Sequence, residues 1–218
     1  MGHLIKLEST TTIDAWLAEP AGPSRGGVVV IQEIFGINSH IREVTDRVAA
    51  AGYTAIAPAL FDAVEPGVEL AYDQQGMTRG IALMNQVGFE RPLQDIDAAA
   101  RRITGAGKVG TVGFCWGGTL AYAAAIRFGL PGVSYYGGGN TRLVGEQAAA
   151  PLMFHYGELD DHISAEDRAK VHAANPDAPF YVYPAGHGFN CDQRGSFDAA
   201  SAALAWERTL AFLAKHVG

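Results

Sequence analysis

Cysteine is scarce: the 218-residue chain holds two, Cys115 and Cys191. Two thiols could form one bridge, but they make no disulfide scaffold, and a reducing compartment suits them better. Neither Cys-x-x-Cys nor His-x-x-x-His occurs, so no cofactor is expected and no metal site. Basic residues are in deficit, 16 Lys and Arg against 23 Asp and Glu for a formal net charge of −7. That balance excludes the basic face a nucleic-acid partner requires. No apolar run approaches the ~20 residues that span a bilayer. The first residues, Met1-Gly2-His3-Leu4-Ile5-Lys6, show no basic segment followed by an apolar stretch, and Lys6 stands where a myristoylation signal wants Ser or Thr. A cytoplasmic protein is expected, without membrane or nucleic-acid partners and with its oligomeric state open.

What the chain does have is alternation. Short apolar runs at Val28 to Ile31, Thr54 to Ala57, Val109 to Val112, Val133 to Tyr136, Leu152 to His155 and Phe180 to Tyr183 read as strands. Most are continuously apolar, as in a parallel sheet covered on both faces. Leu4 to Leu7 and Ile13 to Leu17 suggest an antiparallel hairpin at the sheet edge. Between the strands lie helical spacings: Ile41, Val44, Val48 and Ala51 after a cap at Asn38 or Ser39, then Leu93, Ile96, Ala100 and Ile103. Ser164 with Asp167 forms a capping signature ahead of Val171, and Ala203, Trp206, Leu210, Leu213 and Val217 mark a last helix packing on the sheet. The less regular stretch from Phe61 to Phe89 holds one loose helix or a lid. The expectation is one α/β domain over residues 1–218, a mostly parallel sheet with an N-terminal antiparallel hairpin and helices on both faces. Ligands of such sheets sit beyond the carboxyl ends of the strands.

One short segment gives this framework chemistry. Gly113-Phe114-Cys115-Trp116-Gly117 follows an apolar strand and leads into an Ala-rich helix. That context turns Gly-x-nucleophile-x-Gly into the nucleophile elbow of an α/β-hydrolase fold, here with a thiol at its centre. A buried cysteine that merely packs is the alternative. The partners a nucleophile needs follow in order. Gly157-Glu158-Leu159-Asp160-Asp161-His162 comes after one late strand and Gly186-His187-Gly188-Phe189 after the next. Asp160 is favoured over its neighbour Asp161 as the acid. His187 is favoured over His162 and His155 as the base. In this fold, the loop after the Val28 strand supplies one oxyanion-hole amide and the residue after the nucleophile the other, hence Ile34 and Trp116. Glu33 at the end of that strand is either solvated or paired with an arginine, or else placed to hold or accept the thiol proton.

Together, Gln32-Glu33-Ile34-Phe35-Gly36, Gly113-Phe114-Cys115-Trp116-Gly117-Gly118, Gly157-Glu158-Leu159-Asp160 and His187-Gly188-Phe189 resemble the dienelactone hydrolase (carboxymethylenebutenolidase) family over nearly the whole chain. The resemblance implies a Cys115–His187–Asp160 triad that hydrolyses a small lactone or ester through a thioacyl enzyme, with Glu33 helping to activate the thiol when substrate binds. It also implies two arginines gripping a substrate carboxylate. Arg79 lies near the position of the first, but Cys191 stands at the second, four residues after His187, and the nearest arginine is Arg194. Arg79, Arg194 and Phe35 are the implied substrate contacts. The departure at Cys191 bears on that clamp and leaves hydrolysis standing. The competing function is a catalytically idle member of the fold that binds a small molecule.

Overall fold

Strands and helices follow one another in the order that the apolar runs suggest, and the computed structural model describes residues 1–218. The elements are β1 (His3–Glu8), β2 (Thr12–Ala18), β3 (Gly27–Ile31), α1 (Ser39–Ala50), β4 (Thr54–Pro58), α2 (Gln74–Val87), α3 (Glu90–Arg102), β5 (Val109–Phe114), α4 (Trp116–Phe128), β6 (Gly132–Tyr135), β7 (Leu152–Gly157), α5 (Ala165–Ala174), β8 (Phe180–Tyr183) and α6 (Ala199–His216). They build one eight-stranded sheet in the order β1-β2-β4-β3-β5-β6-β7-β8. β1 and β2 form the antiparallel hairpin at one edge, and β2 is antiparallel to β4. All pairs from β4 to β8 are parallel.

The order fixes where the helices lie. The crossover from β3 to β4 runs one way across the sheet, and those from β4 to β5 and β5 to β6 run the other. Right-handed crossovers then put α1 on one face and α3 with α4 on the opposite face. α3 packs on α4 accordingly, while α1 covers β3 and β4. The central strands are buried on both sides: every residue of β3, β5, β6 and β7 is buried. This is why they read as unbroken apolar runs.

Local signals settle the helix starts. Asn38, not Ser39, caps α1, its side chain accepting from the Ile41 amide at 3.2 Å. Ser164 caps α5 by accepting from the Asp167 amide at 3.1 Å. The irregular stretch after Phe61 contains a single 14-residue helix, α2. α6 departs from expectation. It buries Ser201, Ala202, Ala205, Thr209, Phe212 and Leu213, leaving Ala203 exposed and Trp206 and Leu210 half-buried. The face is turned because small residues let the helix approach the sheet, and because Thr209 has polar partners inside. Its hydroxyl meets Tyr135 Oη at 2.6 Å and His155 Nε2 at 3.2 Å. A stripe drawn through apolar residues alone misses that face.

Candidate active site

Five loops at the carboxyl ends of β3, β5, β6, β7 and β8 converge on one cavity of about 680 Å³. β5 delivers Cys115 at a bend with φ 54° and ψ −115°, a left-handed conformation that an L-residue adopts only under strain. The flanking glycines make the bend possible. A Cβ on Gly113 would lie 1.8 Å from the Gly117 carbonyl oxygen, and one on Gly117 would lie 2.4 Å from that of Ile31. The sharp return puts Cys115 at the N-terminus of α4, where the helix dipole favours negative charge on the sulfur. Cys115 is half-buried and lines the cavity.

β7 and β8 supply the acid and the imidazole. His187 Nδ1 lies 2.8 Å from Asp160 Oδ2, and the other carboxylate oxygen accepts from the His162 amide at 2.9 Å. Asp161 instead faces solvent beside the His162 ring. His187 is nearly enclosed, its ring 5.1 Å from that of Tyr136 and edge-on to that of His162 at 5.0 Å. Burial works against its positive charge, but the neighbouring Cys115 and Asp160 outweigh that and raise its pKa to about 10. Burial likewise opposes the Asp160 carboxylate, and the contact with His187 holds its pKa below the usual value. His155 lies elsewhere, buried in β7 between Tyr183 and Thr209, with burial pressing its pKa down to about 3.

The loop after β3 carries Gln32, Glu33, Ile34 and Phe35. Buried Gln32 anchors it, accepting from the Leu60 amide at 3.1 Å. The amides of Ile34 and Trp116 donate to no acceptor within the protein, and both residues line the cavity. Glu33 is only 1 % exposed. Its Oε1 accepts from Arg194 Nη1 at 3.0 Å and its Oε2 from the Tyr72 hydroxyl at 2.8 Å. Burial opposes charge on Arg194, yet Glu33 raises its pKa. Arg194 also stacks near the Phe35 and Tyr72 rings and reaches the cavity, as does Phe35.

Arg79 is placed differently: it pairs with Glu65 and is absent from the cavity lining. Cys191 is fully buried, and burial followed by the charge of Glu33 lifts its pKa to about 11. Its sulfur, His40 and Asp192 bring possible metal-ligating atoms within 4.8 Å of one another. Here the thiol form is favoured, and thiolate is what a metal takes. Sequence reasoning did not find Tyr72, Tyr136 or Arg142. Tyr72 carries no local signature, and Tyr136 looks like any strand-end aromatic, though it adopts φ 39° against His187. Arg142 lies on the loop after β6 and lines the cavity. A second, smaller pocket of about 220 Å³ between α1 and α6 shares no residue with this one. No helix is long and apolar enough to cross a membrane.

Comparison with known proteins gives the family. A family model described as the dienelactone hydrolase family matches residues 13–217. A Synechocystis protein assigned as a carboxymethylenebutenolidase is 37% identical, with 90% of this chain and 89% of that protein covered. Carboxymethylenebutenolidase 1 of Cupriavidus pinatubonensis is 33% identical over 92% of this chain and 90% of its own. Among solved structures, one from Klebsiella pneumoniae assigned as a dienelactone hydrolase superposes with a TM-score of 0.86 at 29% identity, covering 99% of both chains.

Proposed function

Because the chain belongs to the dienelactone hydrolase family, we propose that it hydrolyses small lactones or carboxylic esters with Cys115 as nucleophile, His187 as proton carrier and Asp160 as the group that orients it. The observation that carries this reading is the Asp160–His187 contact of 2.8 Å, beside a cysteine held at a strained bend in the same cavity.

The steps follow from the atoms. Glu33 takes the proton of the Cys115 thiol, and the resulting thiolate, beside the His187 imidazolium, attacks the substrate carbonyl carbon while the C=O electrons move to oxygen. The amides of Ile34 and Trp116, with no acceptor of their own, bind that oxyanion. As the tetrahedral species collapses, His187 gives its proton to the leaving alkoxide, and a thioester on Cys115 remains. His187, now neutral, takes a proton from water, the hydroxide attacks the thioester, and the carboxylic acid leaves as the thiolate returns. Asp160 holds the ring in one tautomer throughout. Glu33 is held in reserve by Arg194 and Tyr72, and accepts the thiol proton when a substrate draws Arg194 away.

The test is Cys115→Ala. Turnover of p-nitrophenyl acetate should fall by at least about a thousandfold, while the circular dichroism spectrum stays native. A slowly deacylated ester should add its acyl mass to the unsubstituted protein and not to the variant. Retained turnover, or an acyl adduct on Cys191 alone, would remove the assignment. An idle binding module would show neither turnover nor adduct.

A further inference from the structure

The cavity is much longer than a small lactone needs. It begins at Cys115 and His187 and extends to Arg127, Arg142 and Glu146. Twelve residues separate Cys115 from Arg127 along α4, which at 1.5 Å per residue is about 18 Å. Thr119 and Arg127 of that helix line the cavity with Cys115. One wall is apolar: Met77, Ile81 and Met84 of α2 are spaced by four and three, so they share a face, and Ile81 is left 42% exposed. The loop after β6, with Leu143, forms the other wall.

Charge is distributed unevenly along this groove. Arg194, near Cys115, is neutralised by Glu33, and Arg127 pairs with Glu146 at 3.1 Å. The Arg142 side chain has neither an ion-pair nor a hydrogen-bond partner, although it lines the cavity and is exposed. Across the groove, Glu90 lies in the first turn of α3, where the helix terminus itself compensates a carboxylate. The backbone that carries Arg142 is tied down. The Gly139 amide donates to Thr119 Oγ1 at 3.0 Å, and buried Asn140 donates to Ser134 Oγ at 3.0 Å and Tyr156 Oη at 2.7 Å. A cation without a counter-charge, on a fixed loop that lines an apolar groove, is preorganised for an anion.

We infer that the natural substrate is an elongated ester, apolar along most of its length and anionic at the end remote from the scissile bond, with Arg142 as the residue that meets the anion. This rests on the hydrolytic reading of Cys115 and adds the substrate class to it.

Two matched pairs of esters test it, one for each side of the scissile bond. On the acyl side, the mono-p-nitrophenyl ester of octanedioic acid is compared with p-nitrophenyl octanoate. On the alcohol side, ω-acetoxyoctanoic acid is compared with octyl acetate, followed by acid release. In one of the two pairs the anionic member should be preferred by about tenfold in kcat/KM, the size of one charge-assisted contact. Arg142→Ala should bring that ratio close to one, chiefly through KM, and Arg142→Lys should keep part of it. Added salt should erode the preference, since Arg142 is exposed. The neutral octanoate should also exceed p-nitrophenyl acetate in kcat/KM. No preference in either pair, a preference untouched by Arg142→Ala, or acetate as good as octanoate would overturn the inference while Cys115 chemistry stood. Failure of the unsubstituted protein to turn over any of these esters would overturn both.

Discussion

Replacing Glu33 with glutamine removes a charge from a place that water barely reaches, 1 % exposed. Shape and hydrogen bonds can survive. The amide oxygen can still accept from Arg194, and the amide nitrogen can donate to the Tyr72 hydroxyl, which accepts as readily as it donates. What disappears is the negative charge opposite a guanidinium whose side chain is 16% exposed. Stranding one member of a buried ion pair costs about 3–5 kcal/mol. Arg194 retains some solvent and one hydrogen bond, so the cost falls at or just below the bottom of that range, about 2–3 kcal/mol. For a chain of this length, with a shift of about 2–4 °C per kcal/mol, that becomes a fall of roughly 5–10 °C in Tm.

Thermal or urea unfolding followed by circular dichroism reads the effect, and a second variant separates its causes. Glu33→Gln combined with Arg194→Gln removes both charges. It should recover more than half of the lost stability, because the penalty in the single variant is the stranded guanidinium. Activity should not recover with it: a carboxylate that takes the thiol proton is still missing, so ester turnover remains low. If activity returned along with stability, Glu33 would be a brace for Arg194 and nothing more. If Glu33→Gln changed stability by less than about 0.5 kcal/mol, or the double variant lost the sum of the two singles, the electrostatic argument itself would be wrong.

Three further substitutions follow from the same geometry. In His187 the pKa rises from 6.5 to about 10 on folding, so the stability its imidazolium contributes is complete below about 6.5 and is lost as pH climbs toward 10. Asp160 has its pKa lowered from 3.8, so its contribution is present above that value and is lost as pH falls through its folded-state pKa. Asp160→Asn should therefore reduce the decline of stability between pH 6.5 and 10 and cut kcat/KM by about a thousandfold to ten-thousandfold. Urea titrations at both ends of that window, together with ester kinetics, would check this; an unchanged slope would mean that Asp160 does not hold the proton on His187. Gly117→Ala would push a Cβ to 2.4 Å and 2.5 Å from the carbonyl oxygens of Ile31 and Gln32, both main-chain atoms. A loss of about 3 kcal/mol or more is expected. Gly105→Ala, whose Cβ would meet nothing within 4 Å, should leave Tm nearly unchanged, and equal losses in the two would refute the steric account of the elbow.

Some of this architecture was legible in the sequence because its causes are local. Strands buried on both faces must be apolar at every position, so β3 and β5 stand out as runs of valine and small residues. A backbone that must pass within van der Waals contact of another excludes a Cβ, so the elbow announces itself through Gly113 and Gly117. Which of two adjacent aspartates faces the imidazole is nearly as local, since the His162 amide, two residues on, turns Asp160 inward.

Residues whose role is a relation between distant elements leave no such trace. The partners of Glu33 lie 39 and 161 residues away, at Tyr72 and Arg194, and nothing around Tyr72 distinguishes it from an ordinary loop aromatic. Arg79 shows how sharply rotation about a helix decides a role. Met77, Ile81 and Met84 point into the groove, and at 3.6 residues per turn a residue two after Met77 is carried to the other side, where Arg79 finds Glu65 instead of substrate. The same dependence governs α6, where buried Thr209 turns a different face inward than the apolar residues alone would choose. Arg142 is the extreme case. Its significance is the lack of a partner, and a missing contact can be recognised only once Arg127, Glu146 and the length of α4 have taken their places around it.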